Sequence, residues 1–67
     1  MTANQMPLVH QARRTLANHR AGNPFADRRR LEQVLRDVVA AYLAPTTSLV
    51  SSRALQVEMD ALEEALG

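Results

Sequence analysis

Residues 24–45 run PFADRRRLEQVLRDVVAAYLAP, and this stretch decides the fold. Leu31, Val34, Leu35, Val38, Val39, Tyr42 and Leu43 recur at spacings of three and four, the pattern of a helix with one apolar face. That face spans close to half of the cylinder, wider than a single neighbouring helix needs. Asn23 is placed to cap the helix, Pro24 to open it and Pro45 to close it. A helix over 24–43 would be roughly 30 Å long. It is the expected spine of the molecule.

Upstream, a helix is expected over 7–20. Pro7 suits its first turn, and Leu8, Ala12, Leu16 and His19 fall on one face, with Val9 at the edge. Gly22 stops it, and Asn23-Pro24 completes the break. Downstream of the polar connector Thr46-Thr47-Ser48, a third helix is expected over 50–66. Leu55, Met59, Leu62 and Leu66 form a seam at spacings of four, three and four. A second strip of smaller residues, Val50, Ala54, Val57, Ala61 and Ala65, lies on the far side and allows another backbone close approach. The fold class is therefore all-α: one three-helix domain built on an antiparallel helical hairpin, expected to be oligomeric.

The oligomer follows from size. A chain of 67 residues buries a small fraction of its surface, and domains of this length usually lean on disulfides, a metal or a partner. The chain has no cysteine, which removes the first and any thiolate metal site. Its two histidines, His10 and His19, point to opposite sides of the first helix and cannot share a metal. His19 is expected as a satisfied core histidine. Self-association or a protein partner remains. Its expected interface is Leu55, Met59, Leu62 and Leu66 with Val57, Ala61 and Tyr42.

The activities without residues to support them are several. The serines lie in the connector, with no histidine beside them and no glycine elbow. Asp60, Glu63 and Glu64 share a face of the third helix but lack the loop that a calcium site requires. No phosphate-binding glycine loop is present, and Met1–Gln5 is neither basic nor apolar enough for a secretory leader. The longest apolar run is too short to span a membrane. The expectation is a cytoplasmic binding protein, with no enzymatic activity and no cofactor or metal. The eight basic residues are all arginine, which with the alanine content fits a GC-rich bacterial genome.

The arginines carry the alternative, a small basic nucleic-acid-binding protein that uses the arginines around the first interhelical break. Arg13, Arg14, Arg20, Arg28, Arg29 and Arg30 flank the first break and are candidates for phosphates or an acidic partner. Arg29, Glu32 and Arg36 form a ladder that answers part of this charge. Residues 1–44 carry a net +4 and residues 45–67 a net −3, an asymmetry able to steer a partner or draw copies together. A helix-turn-helix is disfavoured, because the helix after the break is the most apolar one and lacks base-reading side chains. Residues Leu31–Arg36 with Val57-Glu58-Met59-Asp60 faintly resemble the helical-hairpin aspartyl-phosphate phosphatases of sporulating bacteria, but the serine–glutamine pair of their signature is missing. Arg13–Arg20 faintly resembles the short helical antitoxins of Fic-domain toxins, without their inhibitory glutamate. Neither resemblance assigns a family.

Overall fold

The computed structural model describes residues 4–67. Residues 1–3, part of the opening read above for a leader, lie outside the described residues. Three helices make the fold: α1 (Met6–Arg20), α2 (Arg28–Leu43) and α3 (Leu49–Leu66). Each packs against both others. The molecule measures 38 × 19 × 15 Å. No helix among the described residues is long and apolar enough to cross a membrane.

The helix boundaries follow from local chemistry. α1 ends in a Schellman motif. The Gly22 N–H donates to His19 O and the Asn23 N–H to Asn18 O, with Gly22 at φ +80. An L-side chain is strained at that φ, so the glycine sets the turn.

α2 begins four residues later than expected. Asn23 does not cap it. The Asn23 side chain instead accepts the Phe25 N–H (3.0 Å), and its carbonyl accepts the Ala26 N–H (3.0 Å). These two bonds commit Pro24-Phe25-Ala26 to a turn. The cap is Asp27, whose carboxylate accepts the Arg30 N–H at 2.9 Å. At the other end Pro45 drives Ala44 out of the helical region to ψ 129. The Ala41 carbonyl then accepts both the Ala44 N–H at 3.3 Å and the Thr47 hydroxyl. Ser48 caps α3 through the Ser51 N–H at 3.2 Å.

The core joins all three helices. Val9, Ala12, Leu16, Leu31, Val34, Val38, Leu55 and Leu62 form one buried cluster. On α1 the buried stripe is centred on Val9, and Leu8 sits at its edge, the reverse of the sequence expectation. A stripe that meets two neighbours is rotated toward the groove between them. Every buried side-chain nitrogen and oxygen among the described residues has a hydrogen-bond partner. Thr15 donates to Gln11 O within its own helix at 2.8 Å.

Two long-range contacts set the direction of the helices. The Gln5 N–H donates to Ser51 Oγ at 3.1 Å. Arg13 Nε donates to Glu58 Oε2 at 3.1 Å. Both pairs advance together along α1 and α3, so these two helices run the same way. Arg20 therefore lies level with the last turn of α3, where Glu63 and Glu64 sit. The two oppositely charged halves of the sequence are side by side in space, not at opposite poles. The expected attraction between halves of neighbouring copies loses its lengthwise dipole.

Candidate functional site

The seven apolar residues expected at an interface separate into three groups. Leu55 and Leu62 are wholly buried inside the chain. They face α1 and α2 and have no surface left for a partner, which corrects their placement at an interface. Met59, Leu66, Ala61 and Tyr42 are half-buried and packed on the core. Val57 is 61% exposed and is the one member of the set that faces solvent broadly. The reason is geometric. α3 lies in the groove between α1 and α2, so its seam is consumed within the fold.

The open apolar surface lies elsewhere. Leu43, Leu49 and Val50 are 73%, 69% and 74% exposed. They flank the connection at 44–48, beside the start of α3. Val50 and Val57 are seven residues apart and share one face of that helix. Sequence periodicity flagged Val50 and Val57 as a second strip, and Leu43 as the end of the α2 face. It missed Leu49, which lies on neither apolar strip.

The arginines also divide. Arg13 is bound to Glu58, whose side chain is 6% exposed. Glu58 is the one buried carboxylate among the described residues. Arg28 pairs with Glu32 at 3.2 Å, so Arg28 takes the place expected for Arg29 in the ladder. Arg36 reaches Gln33 at 3.4 Å. Arg14, Arg20, Arg29 and Arg30 are exposed and make no ion pair among the described residues.

Arg14 and Arg30 are brought together. They line an open cleft of about 530 Å³ between α1 and the start of α2, with Gln11, Asn18, Asn23 and Phe25. No carboxylate lines it. A second concavity on the other side of Phe25 is lined by Arg29, Arg30 and Arg36 with Asp27 and Glu32. Phe25 was not a candidate on sequence grounds. Its only signal was negative: a large aromatic outside every apolar stripe, in a segment expected to be helical.

The other chemistry-bearing residues are accounted for locally. His10 is exposed. His19 Nδ1 lies 2.7 Å from the Ala26 carbonyl, and since a carbonyl only accepts, Nδ1 carries the proton. This bond closes the α1–α2 turn. Ser48 and Ser51 bond to one another at 2.9 Å and serve the starts of α1 and α3. Asp60, Glu63 and Glu64 are exposed. No group of three or more histidine, cysteine, aspartate or glutamate side chains among the described residues is placed to hold a metal.

Comparison of the chain with protein-family models, with curated proteins and with solved structures gives no match.

Proposed function

We propose that this chain is a small protein-interaction module of the regulator, inhibitor, chaperone or accessory-subunit kind, acting by surface complementarity without a catalytic step. In this reading α2 and α3 form an antiparallel hairpin, and its turn end is the contact surface. One observation carries it. Leu43, Leu49 and Val50 are each about seven-tenths exposed around one connection, and Val57 continues the patch along α3. Single exposed apolar residues are ordinary, whereas a clustered set marks an association surface. The core beneath is already closed, so this patch is not a missing piece of the fold. The occupant is a protein partner or a second copy, and the half-buried Met59 and Ala61 would border the contact.

Sedimentation equilibrium over a range of concentrations tests the self-association arm. Affinity capture followed by a titration with the purified partner tests the other. Leu49→Asp and Val57→Asp should each abolish the association while the helical circular-dichroism signal stays unchanged. A chain that is monomeric throughout, and whose captured partners bind both variants as well as the parent, would remove this reading.

A further inference from the structure

Phe25 is the most exposed of the large apolar side chains, at 88%. Its backbone is not slack. Asn23 holds the turn through the Phe25 and Ala26 amides. Pro24 restricts the turn further. Ala26 is buried, and its carbonyl is held by His19. A rigid turn thus presents a phenyl ring to water, where it forfeits the free energy that burial would supply.

Around the ring arginines predominate, and Asp27 and Glu32 line only the concavity on its far side. The cleft on one side of it contains two guanidiniums and no carboxylate. Arg28, Arg29 and Arg30 occupy the first turn of α2, and no acid shares that turn. Cations there oppose the positive end of the helix dipole, which disfavours them. Asp27 caps this turn and Glu32 pairs with Arg28, whereas Arg29 and Arg30 make no ion pair among the described residues, a local conflict of the kind expected where a site serves a ligand.

We propose that this cleft binds single-stranded nucleic acid, with one base stacked on Phe25 and the flanking phosphates on Arg14 and Arg30. Stacking platforms interleaved with cationic side chains are how proteins hold single strands without strict sequence preference. Gln11, Asn18 and Asn23 on the cleft wall offer both donors and acceptors to a base edge. A duplex hides its base faces and leaves the ring without a partner. An acidic peptide satisfies the arginines but makes no use of the flat ring or the amide wall. The site is separate from the apolar turn end and does not rest on it.

The chain has no tryptophan, so Phe25→Trp installs a single fluorophore at the stacking position. Short oligo-dT and oligo-U, added at low ionic strength, should quench it to saturation. Measured by anisotropy with labelled oligonucleotide, Phe25→Ala should weaken binding about five- to hundredfold. Arg14→Gln and Arg30→Gln should each lower the slope of log affinity against log salt by about 0.7. Circular dichroism should show all four variants folded, since these side chains are exposed. Three results overturn the proposal: no quenching by either oligonucleotide, competition by polyglutamate as strong as by oligo-U, or duplex binding that Phe25→Ala leaves unchanged.

Discussion

A buried carboxylate is held by its partner, and Glu58 depends on Arg13. The glutamate is nearly covered, while the arginine side chain remains 53% exposed. Removing the two members therefore has unequal consequences. Arg13→Met leaves a buried charge without its cation and should destabilise the fold by about 1–3 kcal/mol. Glu58→Met removes the charge together with its desolvation cost and should be close to neutral. Urea unfolding followed by circular dichroism gives both values, and equal losses would show that the pair is not the controlling feature. Ser51 is a second residue of this kind. Its hydroxyl is buried and accepts the Gln5 N–H from the start of α1. In Ser51→Ala the Gln5 amide should exchange with deuterium markedly faster, while the α2 core amides keep their protection.

At the scale of elements, the α1–α2 break is the most specified part of the chain. Gly22 sits at φ +80, and a Cβ built there would meet nothing within 4 Å. Any cost of Gly22→Ala is thus backbone strain alone, expected at about 1 kcal/mol. Asp27→Ala removes the α2 cap and should cost about 1 kcal/mol. Asn23→Ala should leave the α2 cap untouched and instead loosen the Phe25 turn, seen as faster exchange of the Phe25 and Ala26 amides. If Asn23→Ala matched Asp27→Ala in lost helicity, the start of α2 would lie where sequence reading first put it. That reading chose Asn23-Pro24 because the pair is a good helix opening in isolation. The structure chose Asp27 because Asn23 already had two partners within the turn.

For the whole molecule, the outcome depends on which apolar residues the fold uses. Leu62 is a wholly buried member of the core cluster. Leu62→Ala should cost about 2–5 kcal/mol, enough to leave a domain of this size largely unfolded at room temperature. Val57→Asp on the same helix should change stability by less than about 0.5 kcal/mol. The contrast is read from thermal melts of the two variants. It separates core from surface along a helix whose sequence shows apolar residues on two sides.

The sequence alone determined three helices, their approximate limits and most of the buried set, because 3.6-residue periodicity and stop residues are properties of neighbours along the chain. It located Leu31, Val34, Val38, Leu55 and Leu62 as apolar face residues without knowing what they would face. Only the tertiary structure decided that α3 fills the groove between the other two helices, which hides Leu55 and Leu62 and leaves Leu49 and Val57 in water. The same packing buries Glu58 against Arg13. Burial and charge proximity depend on contacts between residues some forty-five positions apart, and no periodicity along one helix contains that information.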